Sequence, residues 1–267
     1  MTIIQSVILG IIQGLTEFIP VSSTAHLLIG QKILGIPSSN AIFSYLIIVQ
    51  LGTILSLVVY FWKDLVKLVI SFFAKPFSTP ENKLGWFIII ATIPALVFGY
   101  LLKSAVETLF KTPLVEASIR LVVTAVVLAL AEWSGKRNRS LRKMKWLDAL
   151  IIGIAQVISI FPGASRSGTT IGAGMARGFD RTAAARFAFL MAVPVMLAAG
   201  GYQSLDLLKM TGVSSFLPVL AVGFVVAAVI GWIAVKWFLS YLSRHSLYIF
   251  AGYCAIAGAI CLIFSLI

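Results

Sequence analysis

The chain is short of charge, of acid in particular, and of cysteine. Only 11% of its 267 residues are charged, and only 9 are acidic, where a soluble domain carries about 25% charged residues. That excludes an ordinary soluble enzyme and a disordered chain. The two cysteines, Cys254 and Cys261, exclude a disulfide framework and a zinc or iron–sulfur site by spacing. Seven residues apart on one apolar helix, their Cα atoms stand about 10 Å apart, too far for a disulfide. No basic residue precedes Lys32, so the charged start of a secretory signal is lacking and the N-terminal apolar stretch is expected to stay in the mature protein.

What is present is hydrophobicity. Apolar residues make up 60% of the chain, and the net charge is +12. A span needs about 20 apolar residues, so the length allows six to eight spans. The expected fold class is an all-α polytopic membrane protein. Its positive charge then reads as topology and headgroup contact rather than as nucleic-acid binding.

Six stretches read as transmembrane helices: 41–62, 85–102, 114–133, 183–202, 215–235 and 247–267. Two more apolar stretches are broken. Residues 2–19 reach Pro20 and a Ser-Ser-Thr run, and 147–161 reach Pro162 and Gly163-Ala164-Ser165-Arg166-Ser167-Gly168-Thr169-Thr170. Such backbone survives in a bilayer only when it is buried in protein or lines a wet cavity.

The broken stretches resemble each other. Gly10-Ile11-Ile12-Gln13-Gly14-Leu15-Thr16-Glu17-Phe18 aligns with Gly153-Ile154-Ala155-Gln156-Val157-Ile158-Ser159-Ile160-Phe161, and Pro20-Val21-Ser22-Ser23 with Pro162-Gly163-Ala164-Ser165. The expected organisation is one integral membrane domain, 1–267, with repeat one at 1–133, a basic cytoplasmic linker at 134–146 and repeat two at 147–267. Each repeat is a re-entrant helix hairpin plus three spans. An odd number of crossings per half makes the repeats inverted, with a site at their interface. If both stretches turn back, fifteen Lys and Arg fall on one side and four, Lys32, Lys103, Lys111 and Lys209, on the other. A full crossing by the second stretch gives eleven against eight. The positive-inside rule favours the re-entrant reading.

The polar groups left in the apolar stretches cluster at the two tips: Gln13, Glu17, Ser22, Ser23, Thr24 and His26 at one, and Gln156, Ser165, Arg166, Ser167, Thr169 and Thr170 at the other. Intramembrane ionisable residues are functional candidates by default. Arg166 offers a planar fork matched to phosphate oxygens, and the hydroxyls at the start of a half-helix add an anion cradle. Glu17 suits a general base or a divalent cation. Ser23 and His26, three residues apart, suit a nucleophile and its proton partner. The chemistry expected is hydrolytic phosphoryl transfer on an anionic, lipid-tailed substrate. A transporter or lipid-carrier flippase is the rival class, since inverted repeats also suit alternating access. The pair Glu116 and Arg120 reads as interfacial, Asp180 and Arg181 as loop, and Lys136–Lys145 as a solvated basic run.

Gln13-Gly14-Leu15-Thr16-Glu17-Phe18-Ile19-Pro20-Val21-Ser22-Ser23-Thr24-Ala25-His26 closely resembles the first motif of the undecaprenyl-diphosphatases, the bacitracin-resistance family, and Pro162 to Thr170 resembles the second. The resemblance runs essentially end to end. It implies a phosphatase of the bacterial plasma membrane that converts undecaprenyl diphosphate to undecaprenyl phosphate and inorganic phosphate, recycling the carrier for peptidoglycan, with the site toward the extracytoplasmic face. It also implies Glu17, Ser23, His26 and Arg166 as catalytic residues. Gln13, Ser22, Thr24, Ser165, Ser167, Thr169 and Thr170 would meet the substrate. A divalent cation, Mg²⁺ or Ca²⁺, would use Glu17. The implied partners are a polyprenyl diphosphate lipid and the bilayer, with no nucleic acid and with homo-oligomer formation left open. Gln13 stands where the family's paired-carboxylate motif has its first acid, which weakens a two-carboxylate metal site. Ala25 stands where Gly is common and slightly restricts that turn.

Overall fold

The computed structural model describes residues 1–37, 39–73, 76–102, 113–134, 137–159, 164–207 and 213–266. These residues form eleven α-helices. In chain order they are α1 (Ile3–Thr16), α2 (Ser23–Ile33), α3 (Asn40–Tyr60), α4 (Trp62–Phe72), α5 (Pro80–Leu101), α6 (Pro113–Ser134), α7 (Trp146–Ile158), α8 (Arg166–Ala176), α9 (Arg181–Leu207), α10 (Val213–Leu242) and α11 (Tyr248–Leu266).

Among the described residues, five helices are long and apolar enough to cross a bilayer: Ile42–Tyr60, Pro80–Leu101, Arg181–Tyr202, Phe216–Leu242 and Tyr248–Ser265. The sixth expected span, α6, is a 22-residue helix but not one of these five. It carries Glu116, Arg120 and Glu132, and all three are buried. One element went unforeseen. Helix α4 is amphipathic, with Leu68 buried and Trp62, Val69 and Ile70 exposed, a pattern that suits a membrane surface.

The two broken stretches are short helices joined as hairpins. With 14 residues, α1 rises about 21 Å, less than the roughly 30 Å hydrocarbon core. Thr2 starts it with a capping box: Thr2 Oγ1 accepts from Gln5 N at 3.2 Å, and Thr2 N donates to Gln5 Oε1 at 2.8 Å. The chain turns at Pro20, and α2 folds back along α1. Gln5 Nε2 donates to Leu34 O at 3.2 Å, joining the outer ends of the two arms. Helices α7 and α8 repeat the design. Arg177, just past α8, bonds Asp148 in the first turn of α7 at 2.9 Å.

The first arm of each hairpin rests on the opposite half of the chain: α1 packs on α10, and α7 packs on α5. Glycines permit this close approach. A Cβ on Gly153 would run into the backbone of Ala91 on α5, and one on Gly14 would stand 2.7 Å from Ile230 Cβ and 2.9 Å from Gly231 N on α10.

Ion pairs gather one end of the bundle. Glu132, at the end of α6, takes Arg181 through both carboxylate oxygens at 2.6 and 2.7 Å, accepts from Leu247 N at 2.8 Å, and pairs with Arg137. Asp148 binds Arg139 and Arg177 and accepts from Lys145 N. Arg186 pairs with Asp64 at 2.7 Å. Arg181 is therefore a structural clamp between helices, not a loop charge. Within the basic run, Arg137 and Arg139 are ion-paired, while Arg142, Lys143 and Lys145 are exposed.

Candidate active site

The tips of the two hairpins meet. Glu17 follows the last residue of α1, and its N–H still bonds Gln13 O at 3.0 Å. Phe18, next to it, is 1% exposed and packs edge-on against Phe189 with ring centroids 5.5 Å apart, which anchors the tip in the core. Arg166 is the first residue of α8, whose N-cap Ser165 accepts from Gly168 N at 3.3 Å. Arg166 reaches across and pairs through its Nη2 with Glu17 Oε1.

The other carboxylate oxygen, Glu17 Oε2, accepts from Gln13 Nε2 at 2.7 Å and from Ser23 Oγ at 2.7 Å. Ser23 lies close because Ser22 turns the chain. Ser22 sits at φ 67, ψ 88, a left-handed conformation uncommon outside glycine and concentrated at functional sites. The turn points the Ser23 hydroxyl back at the acid six residues earlier, not forward at His26.

His26 faces elsewhere. Its Nδ1 lies 2.9 Å from Ser22 O and its Nε2 2.7 Å from Tyr253 Oη, with the His26 and Tyr253 rings stacked at 5.7 Å. A carbonyl can only accept, so Nδ1 carries the proton, and Nε2 of the neutral ring accepts from the tyrosine. His26 thus braces the strained Ser22, and its ring nitrogens bond Ser22 O and Tyr253 Oη, not Ser23.

A cavity of about 710 Å³ opens over this junction, within the roughly 300–1,000 Å³ range of small-molecule sites. Gln13, Glu17, Ser22, Ser23, Thr24, Ser165 and Arg166 line it, with apolar walls from Leu27, Leu28, Phe43, Leu46, Ile47, Leu96 and Val195. Four residues expected at the site do not line it. His26 is one. Ser167 is buried against Ser165 Oγ at 3.1 Å. Thr169 and Thr170 donate to carbonyls of their own helix, Ser165 O and Arg166 O, each at 2.8 Å.

Other lining residues were not expected there. Arg120 is 6% exposed, is held by Glu116 at 2.8 Å, and lines the cavity together with Gln50, Tyr100 and Tyr202, while Gln156, which also lines it, was already among the polar groups of the second tip. The available signal was an opposite charge pair four residues apart inside an apolar helix, which costs too much to leave facing lipid.

Among the described residues no group of three His, Cys, Asp or Glu gathers, and Glu17 is the one acid among the described lining residues. That set makes no protein-only metal cage. It fits a hard cation shared with a substrate, since Mg²⁺ is commonly held by one or two carboxylates together with substrate phosphates.

Comparison with known proteins places the chain in a family. Residues 6–260 match the family described as bacitracin resistance protein BacA. The chain is 40% identical over 269 residues to a protein of Mycolicibacterium gilvum named undecaprenyl-diphosphatase, covering 98% of this chain and 96% of that one. Proteins of the same name from Mycobacterium ulcerans and Chlorobaculum parvum are also 40% identical, each covering 97% of this chain and 95% of theirs. With the match running over nearly its whole length, this chain belongs to the BacA family of bacitracin resistance proteins.

Proposed function

We infer that the chain is an undecaprenyl-diphosphatase that hydrolyses undecaprenyl diphosphate to undecaprenyl phosphate and inorganic phosphate. The observation that carries this reading is the junction of Glu17, Ser23 and Arg166 at the floor of an apolar-walled cavity. The walls take the proximal part of a prenyl tail, and the rest runs into the bilayer.

On this reading the chain's own residues have the following roles. Arg166 turns its guanidinium fork from Glu17 to the terminal phosphate. Glu17 Oε2, already accepting from Ser23 Oγ, takes the hydroxyl proton as Ser23 attacks the terminal phosphorus. The Ser23 O–P bond forms while the P–O bond to the lipid phosphate breaks, and the lipid leaves as its monophosphate. Glu17 passes that proton to the departing lipid phosphate and regains its charge. It then takes a proton from the water that attacks the phosphoserine, and returns it to Ser23 Oγ as the Ser23 O–P bond breaks and inorganic phosphate leaves. Gln13 holds Glu17 in place. Mg²⁺ or Ca²⁺, held by Glu17 and the diphosphate, would neutralise charge on the substrate.

The same reading takes the two halves, 1–133 and 147–267, as inverted repeats in a bacterial plasma membrane. The reciprocal seating of α1 on α10 and α7 on α5 supports this. The cavity draws on the first half of α3 (Phe43 to Gln50) and the last parts of α5 and α9 (Ala95 to Tyr100 and Val195 to Tyr202). These lie opposite the ion-paired, Arg-rich end. With positive charge inside, the site opens to the extracytoplasmic face.

Phosphate release by the purified protein in detergent tests the activity, because detergent abolishes transport but leaves hydrolysis. Steady release from a prenyl diphosphate is expected. Tight binding of that lipid with no release would point instead to a carrier or flippase.

A further inference from the structure

Gln156 lines the cavity at 2% exposure, yet neither atom of its side-chain amide has a hydrogen-bond partner among the described residues. Leaving such a group unsatisfied in a protein interior is costly, and native chains seldom do so unless something else completes the bonds. The matching amide at the other tip is satisfied from within: Gln13 donates to Glu17, four residues later. Four residues after Gln156 the sequence has Ile160, so the second tip holds a donor and an acceptor in reserve.

A second guanidinium borders the same cavity. Thr124 Oγ1 accepts from Ser165 N at 3.2 Å and donates to Arg120 O at 2.6 Å. Arg120 therefore stands one helical turn along α6 from the segment that carries Arg166. Its Nε is held by Glu116 Oε1 at 2.8 Å, which fixes the plane of the guanidinium.

A diphosphate has two phosphate groups, and the junction of Glu17, Ser23 and Arg166 serves the one that is attacked. We propose that Gln156 and Arg120 form a second phosphate subsite, which binds the phosphate that stays on the lipid. The Gln156 amide donates to a phosphate oxygen, and Arg120 supplies the positive charge. The subsite makes the cavity selective for diphosphate over monophosphate lipids, because a diphosphate fills both subsites at once while a monophosphate lipid is held by the Arg166 junction alone. This rests on the phosphatase reading given above.

The test uses the full chain in detergent and two probes of equal prenyl length: a methylene-bridged diphosphonate, which is not hydrolysed, and a monophosphonate. Wild type is expected to bind the diphosphonate about tenfold or more tightly than the monophosphonate. Gln156→Met, apolar and close in length, is expected to lose most of that preference while holding the monophosphonate within about twofold. Gln156→Glu, which keeps the shape and places an acid beside the phosphate, is expected to lose it too and covers the case in which the first variant does not fold. Equal affinity of wild type for the two probes would overturn the subsite. So would a preference that survives in a folded variant, or an equal loss of both probes. Phosphate release by wild type is scored separately, so a failure of the phosphatase reading is not confused with a failure of the subsite.

Discussion

Glu17 and Arg166, 149 residues apart in sequence, form an ion pair where the tips of two helix hairpins touch. The same carboxylate receives the Ser23 hydroxyl at 2.7 Å. One acid therefore holds both Arg166 and the candidate nucleophile, and in the proposed mechanism the substrate's terminal phosphate competes with Glu17 for Arg166.

In the proposed mechanism Arg166 binds the attacked phosphate. Arg166→Ala is expected to lower turnover by about a hundredfold or more. Arg166→Lys is expected to stay poor, because a point charge cannot replace the planar fork. Initial rates of phosphate release check both. Near-normal turnover of the Lys variant would show that charge alone suffices.

Ser23 bonds Glu17 and Ser22 bends the chain, so their substitutions should part company. Ser23→Ala is expected to lose most activity, while Ser22→Ala keeps a measurable fraction. Acid quench and mass spectrometry should find phosphate on Ser23 during turnover. If Ser23→Ala stays within a few-fold of wild type, water attacks directly with Glu17 as base, and Ser23 is a hydroxyl contact to the phosphate.

Glu132 ties together the ends of α6, α9 and α11 at 1% exposure. Removing its charge leaves Arg181 without its partner in a largely buried network. Glu132→Gln is expected to cost about 3 kcal/mol of stability, read as a lower unfolding temperature in detergent. An unchanged melting curve would mean that solvent already screens the pair.

Gly153 lets α7 lie on α5. Gly153→Ala pushes a Cβ into the Ala91 backbone and is expected to cost about 1–3 kcal/mol, with lost activity because the second tip shifts. Thermal unfolding and phosphate release should fall together; an intact melting temperature would show that the helices can part without loss.

Sidedness follows from charge. A cysteine at Asn138, in the Arg-rich linker, is expected to resist impermeant thiol reagents in intact cells, and one at Ser39, before α3, is expected to react. The reverse labelling would turn the cavity mouth toward the cytoplasm.

Much of the site was legible because burial in lipid leaves few polar residues, and those few stand at chain breaks. Pro20 and the run ending in Thr170 marked the two tips, and the kinship of the broken stretches suggested that Glu17 and Arg166 meet. What stayed hidden depends on tertiary approach. The spacing of Ser23 and His26 suggested a shared helix face, but the left-handed turn at Ser22 sends the hydroxyl to Glu17, and His26 finds Tyr253, 227 residues away. Glu116 and Arg120 read as an interfacial pair, yet both are buried. Helical spacing shows that they can pair and says nothing about which way the helix faces.

The most direct test of the hydrolytic junction is phosphate release from a prenyl diphosphate by purified wild type and by Glu17→Gln, each checked for folding by thermal unfolding. Glu17→Gln removes the base and the partner of Arg166 while keeping the shape. The expected result is a folded variant whose turnover falls about a hundredfold or more. A folded Glu17→Gln protein that releases phosphate within a few-fold of wild type would contradict it.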